Sequence, residues 1–307
     1  MFEGRFPKTE ELTEAPMNTE KPRREFLKEI AILGAAASCG TSTFALADQT
    51  KSRMKLGLVT YLWGKDMDLE TLIDSCEKSG FTGVELRTQH AHKVEPSLSS
   101  SERAEVRKRF EDSSVTLVGY GSNAQYHEAD AEKVKANIEL TKDYIRLMKD
   151  CGGSGVKVKP NGFPKNVSRE KTIEQIGKAL NEVAAFGADH GQEIRVEVHG
   201  RGTSELPVMK AIFDVADHPN VGVCWNSNDV DLKGEGLEHN FNLVKDRFAK
   251  TVHVREMNLG KYPYAQLMKL FLQENYEGWI LLEARTNPQD KVKAMIEQRE
   301  WFENAIS

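Results

Sequence analysis

The stretch GVKVKPNGFPKNVSREKTIEQIGKALNEVAAFGADHGQEIRVEVH, residues 155–199, decides the fold. Across Gly155–Lys159 valines alternate with lysines, the period-two pattern of a strand, which turns Lys157 and Lys159 to the same side. Pro160 and Gly162 interrupt it, a helix is predicted over Ser168–His190, and Ile194–His199 is β-rich again. Strand, helix, strand in this succession is one β/α unit, and the unit recurs on both sides.

Upstream, strands are predicted over Lys55–Leu62, Val84–Leu86 and Thr116–Tyr120, with helices over Leu69–Lys78, Ser101–Phe110 and Asp130–Asp150. In the first helix Leu69, Leu72, Ile73 and Cys76 share a face and Gly80 ends it. Downstream, strands over Val221–Trp225, Thr251–Arg255 and Trp279–Glu283 alternate with helices over Pro207–Ala216, Leu237–Lys245, Tyr264–Glu274 and Asp290–Asn304. An open doubly wound sheet usually has five or six strands, so eight units favour an α/β chain closed into a (β/α)8 TIM barrel over 54–307. No Gly-x-Gly-x-x-Gly follows the first strand and no Walker loop occurs, which moves nucleotide-binding folds down.

The 307 residues suit one barrel behind a leader. A net charge of −5 argues against a nucleic-acid partner. Cys39, Cys76, Cys151 and Cys224 are too dispersed for a zinc ribbon or a disulfide framework and read as buried thiols. At the N-terminus, Arg23-Arg24-Glu25-Phe26-Leu27-Lys28 precedes a weakly apolar run, Ile30–Ala37, too short for the roughly 20 residues of a membrane-spanning helix. The hexamer resembles a twin-arginine export signal, and Ala45-Leu46-Ala47 would suit signal peptidase. The expectation is a disordered or helical signal segment over 1–47, removed on export to the periplasm, with no membrane span in the mature chain. The alternative is lipid anchoring through Cys39, after the lipobox-like Ala36-Ala37-Ser38.

In a (β/α)8 barrel the chemistry gathers where strands end. Glu197 and His199 end the fifth strand, Asn226 follows the sixth, His253 and Arg255 lie on the seventh, and Glu283 with Arg285 ends the eighth. Buried singly, such groups are costly, and a shared divalent cation is an efficient partner. Glu197, His253 and Glu283 offer two carboxylates and an imidazole, and Asn226 can add a carbonyl or act only as a turn former. This mixed set suits one Mn²⁺, Mg²⁺, Co²⁺ or Zn²⁺ ion. Around the same mouth, Glu85, His90, Lys157, Lys159, His199, Arg255 and Arg285 are candidates for substrate binding, and Arg87 and His92 follow the second strand. For Lys157 and Lys159, pairing with core carboxylates is an equal reading, and His90 and His92 read as loop residues at least as readily.

Five motifs in order, Gly83-Val84-Glu85-Leu86, Glu197-x-His199, Val221-Gly222-Val223-Cys224-Trp225-Asn226, Val252-His253-Val254-Arg255-Glu256 and Gly278-Trp279-Ile280-Leu281-Leu282-Glu283, resemble the xylose-isomerase-like barrel superfamily, often labelled sugar phosphate isomerase/epimerase. The resemblance covers residues 55 to 303. It implies a metal held by Glu197, Asn226, His253 and Glu283, with Glu197 and Glu283 also acting as catalytic acid and base. The family pattern has Asp at Asn226 and often His at Asp229, so this chain brings one negative charge fewer to the metal. Asp229 is a weak candidate for a substitute ligand.

The implied reaction is proton abstraction next to a metal-bound carbonyl of a sugar, keto-sugar or cyclitol, ending in isomerisation or epimerisation. A 3-keto-glycoside lyase or hydratase using the same site, and a non-catalytic carbohydrate-binding barrel, are the alternatives. An abasic-site endonuclease on this barrel would need more strand-end histidines and a basic face, which the sequence lacks. The resemblance also implies pairing into a homodimer.

Overall fold

The computed structural model describes residues 52–307 together with Met1, so the Arg23-Arg24 motif, Cys39 and the Ala45-Leu46-Ala47 site lie outside the described residues. Eight strands, β1 (Lys55–Val59), β2 (Gly83–Arg87), β3 (Thr116–Gln125), β4 (Gly155–Lys159), β5 (Glu193–Glu197), β6 (Val221–Cys224), β7 (Thr251–Val254) and β8 (Trp279–Leu282), alternate with eight helices. The helices are α1 (Leu69–Ser79), α2 (Ser100–Glu111), α3 (Ala131–Cys151), α4 (Arg169–Asp189), α5 (Leu206–Val215), α6 (Leu237–Asn242), α7 (Tyr264–Gln273) and α8 (Lys291–Ala305). All ladders are parallel and run β6-β5-β4-β3-β2-β1-β8-β7. Between β7 and β6 the chain makes only the isolated bridges Val223–Phe248 and Asn226–His253, which nearly close the barrel.

The helix starts are written locally. Asp68 caps α1 by accepting from the Thr71 amide at 2.8 Å, and Ser99 with Glu102 forms a reciprocal capping box on α2. Gly80 ends α1 at φ 77°, the left-handed conformation that a side chain would strain. Three elements differ by three residues or more from their sequence reading, the first being β1, which stops at Val59 and not at Leu62. The third strand runs on to Gln125, held by pairing of Gln125 with Lys159 of β4. The sixth helix stops at Asn242, after which a 3-10 turn covers Lys245–Arg247.

Outward-facing strand residues such as Val156, Val158, Ile194 and Val196 pack against the helices in one continuous apolar core. Inside the barrel a small layer of Val59, Val118 and Leu281 forms a separate plug. Below the mouth the guanidinium of Arg195, wholly buried, donates to Glu193 Oε2 at 2.8 Å, to the Val118 carbonyl at 3.0 Å and to Ser154 Oγ at 2.9 Å. Gly119 and Gly155 make room for it: a Cβ on either would lie 2.6–2.7 Å from guanidinium atoms. The three cysteines among the described residues are buried and free. No helix among those residues is long and apolar enough to cross a membrane.

Candidate metal centre and active site

The inward period of two carries Lys157 on β4 and Glu197 at the end of β5 into the barrel mouth. His253 of β7 and Glu283, one residue past β8, reach the same point. Glu197, His253 and Glu283 are buried and each offers a ligand atom within 4.8 Å of the others. Asn226 lies beside them, its amide donating to Glu197 Oε1 at 2.9 Å.

These groups are set among further charges. Lys157, wholly buried, ion-pairs through Nζ with Glu197 Oε2. Arg87 Nη1 donates to Glu283 Oε1 at 2.9 Å. Glu85 Oε1 stands 3.1 Å from His253 Nε2, in a pair hidden from solvent. Burial opposes charging of Glu197, but Lys157 and His253 overcome it and hold the carboxyl well below the usual range. For His253 burial again opposes the charge, while Cys224 and Glu85 push its pKa well above the usual imidazole value.

The donor set fits a divalent cation. With Nε2 of His253 facing the Glu85 carboxylate, Nδ1 is a buried nitrogen without a hydrogen-bond partner. Histidines that bind metals usually turn their second nitrogen to such a carboxylate. Two carboxylates and one imidazole are donors suited to the harder and borderline divalent ions. Asn226 would complete the set with its neutral carbonyl oxygen.

The outer residues sort by contact. Thr60 Oγ1 accepts the Arg87 amide at 2.9 Å and lies 2.9 Å from Nδ1 of the half-buried His90, whose Nε2 makes no hydrogen bond. His92 is structural: its ring bonds the Arg87 carbonyl at 2.8 Å and the Val94 amide at 3.0 Å, and burial pulls its pKa down to about 4. Lys159 lies on the rim, 3.3 Å from Asn123 Oδ1, and burial followed by the nearby Lys157 charge lowers it to about 8. His199 follows β5, with Nδ1 2.8 Å from Asn161 Oδ1. Arg255 reaches Asn228 Oδ1 at 3.3 Å, and Asn228 in turn bonds the Val198 and Asn226 carbonyls.

Arg285 does not join the cluster. Its side chain is exposed, and only its backbone amide is held, by Glu256 Oε1 at 2.9 Å. Asp229 is exposed as well and opens a 3-10 turn over Asp229–Leu232. Sequence reasoning missed Asn123, Asn161 and Asn228, whose amides brace the mouth, and Asp231, buried beneath it. Asp231 Oδ2 accepts from Tyr262 at 2.7 Å and from the Asn228 amide at 2.8 Å, and burial lifts its carboxyl to about 7. The only sequence signal for Asn228 and Asp231 is the polar cluster Asn226–Asp231, which reads equally as a turn, and Asn123 and Asn161 carry none.

No curated protein sequence matches the chain. Several solved barrels resemble it. The 3-keto-D-glucoside 4-epimerase YcjR from E. coli, 14% identical, superposes with a TM-score of 0.70 over 82% of this chain and 99% of its own. An IolI protein with a bound zinc atom, 15% identical, gives 0.70 over 83% and 98%. A D-psicose 3-epimerase from Clostridium cellulolyticum H10, 14% identical, gives 0.71 over 83% and 100%. These structures share the fold and are, by their names, sugar epimerases in two cases and a zinc-binding protein in the third. The family model of the xylose isomerase-like TIM barrel matches residues 73–305, and the chain belongs to that family.

Proposed function

We propose that this protein is a divalent-metal-dependent isomerase or epimerase acting on a sugar, keto-sugar or cyclitol. The observation that carries the reading is the meeting of Glu197, His253 and Glu283 within 4.8 Å at the C-terminal mouth of the barrel. Kinship with a family whose structural neighbours include sugar epimerases supports it.

Glu197, His253 and Glu283 would hold the cation, with Asn226 beside them. When bound, it supplies electrostatic stabilisation for the negative charge that grows on a substrate carbonyl oxygen as a neighbouring C–H is deprotonated. Glu197 and Glu283 perform the proton transfers: one carboxylate accepts the proton from carbon, and the other returns one at the adjacent carbon or the opposite face. Arg87 is paired to Glu283, and Lys157 to Glu197 in the metal-free chain. Lys159 and Arg255 on the rim, with the free Nε2 of His90, bind hydroxyl oxygens and orient the substrate. Elimination of a β-substituent from a 3-keto-glycoside is the second outcome open to the same half-reaction. Export by the twin-arginine signal is part of the proposal and points to unphosphorylated sugars met in the periplasm.

The test compares the metal content of the purified protein with that of a Glu197→Gln/Glu283→Gln double variant, then screens keto-sugars and glycosides in D2O. About one transition metal per chain, absent from the variant, with deuterium entering a carbon next to a carbonyl, is the expected result. Sugar binding with no metal uptake and no exchange would replace the enzyme with a carbohydrate-binding barrel.

A further inference from the structure

Both oxygens of Glu197 are already engaged. Oε2 carries the Lys157 ammonium and Oε1 accepts the Asn226 amide at 2.9 Å, in surroundings closed to solvent. The proton transfers proposed above do not need an ammonium on that carboxylate, and its positive charge opposes a divalent cation arriving at the same oxygens.

A second carboxylate lies within the same enclosure. Glu85 is wholly buried and neither of its oxygens has a hydrogen-bond partner, although Oε1 faces His253. Gly121 of β3 sits where the two side chains converge: a Cβ there would lie 3.0 Å from Glu85 Oε1 and 3.3 Å from Lys157 Cε. The flexible end of Lys157 therefore borders both an occupied carboxylate and an unsatisfied one, at a strand position without a side chain.

We propose that Lys157 is a built-in place-holder for the metal, neutralising Glu197 in the metal-free protein and transferring its ammonium to Glu85 when a divalent cation occupies Glu197, His253 and Glu283. The inference rests on the metal reading of the preceding subsection. It gives the buried carboxylate a counter-charge before metal arrives, so the barrel folds without leaving Glu197 unpaired. It also lowers the affinity of the site, since each ion bound displaces an internal cation first.

The experiment titrates Mn²⁺ into the full-length wild type, Lys157→Met, Glu85→Gln and Lys157→Met/Glu85→Gln by calorimetry, and records melting temperatures with and without Mn²⁺. Lys157→Met is expected to bind Mn²⁺ at least tenfold more tightly, to melt lower when metal-free, and to gain more from Mn²⁺ than wild type does. Glu85→Gln is expected to weaken Mn²⁺ binding in the wild-type background by more than in the Lys157→Met background. Unchanged or weaker binding by Lys157→Met, with wild type still binding, overturns the place-holder and leaves the metal centre standing. Failure of every chain to bind Mn²⁺ overturns both. Should Lys157→Met not fold without metal, crystal structures of the wild type decide: Nζ on Glu85 after Mn²⁺ soaking is expected, and Nζ still on Glu197 overturns the proposal.

Discussion

Arg195 and Glu197 stand two residues apart on β5, both wholly or almost wholly buried inside the barrel, and they are treated in opposite ways. Each of the three guanidinium nitrogens of Arg195 donates to an oxygen, and the acceptor Glu193 also takes the Lys250 amide at 3.1 Å. Around Glu197 the polar groups outnumber their partners: both oxygens of Glu85 and both ring nitrogens of His253 lack hydrogen bonds. A buried charge with its bonds satisfied stabilises one structure, whereas buried polar atoms left unpaired carry a desolvation cost that a ligand can relieve. The lower layer holds the barrel, and the upper keeps polar atoms that a ligand would satisfy.

The largest effect expected from this contrast comes from the lower layer. Arg195→Met leaves Glu193, the Val118 carbonyl and Ser154 without their donor, and breaking a buried pair from one side costs about 3–5 kcal/mol. Denaturant unfolding measures it, and a loss below about 1 kcal/mol would mean that the two layers do not differ in this way. In the upper layer, Glu283→Gln should weaken Mn²⁺ binding by about 100-fold, or ~2.7 kcal/mol. The metal-free stability should change far less than in the Arg195 variant, because the Arg87 side chain left behind is 12% exposed. Calorimetric titration beside thermal melting separates the two quantities.

Asp231 gives a smaller, pH-dependent effect. One of its oxygens is buried and unpartnered, and its carboxyl keeps a proton in the folded chain up to about pH 7. In the unfolded chain that proton leaves near pH 4, so between these values the native state holds more protons than the unfolded one. The resulting stabilisation is complete below about pH 4 and is lost as pH rises through 7. The full shift converts to ~4 kcal/mol, of which about half should survive relaxation around the site. Asp231→Asn should therefore gain about 2 kcal/mol on wild type between pH 4 and pH 8, and parallel stability curves would refute the assignment. Least in size, Asn226→Asp places a second carboxylate beside Glu197 and should tighten Mn²⁺ binding about tenfold, or ~1.4 kcal/mol. Unaltered affinity would show that residue 226 does not touch the ion.

The barrel was legible because each unit has its own period and its own stop signals, as at Gly80 and at Pro160 with Gly162. The extension of β3 was not, since Gly121-Ser122-Asn123 has the composition of a loop and becomes strand only by pairing with β4. The cluster Glu197, His253 and Glu283 could be found because a charged or imidazole group follows or interrupts an apolar run in each strand. Its counter-charges could not be assigned. Lys157 meets a partner 40 residues away and Arg87 one 196 residues away, and only barrel closure brings them together. Arg285 misled for the converse reason: its place after β8 suggested the mouth, but Glu256 holds the backbone in a turn whose side chain faces solvent.

The narrow join between β6 and β7 has a mechanical meaning. The sheet is a ribbon whose two ends are fastened by a few backbone bonds, among them His253 N to the Trp225 carbonyl at 2.7 Å and Ser227 N to the His253 carbonyl at 3.2 Å. Glu197 belongs to one side of that join, with Asn226 at its edge, and His253 and Glu283 belong to the other. An ion gripped by all of them would be a rivet through the overlap, and local opening of the ribbon there would slow whenever the rivet is in place.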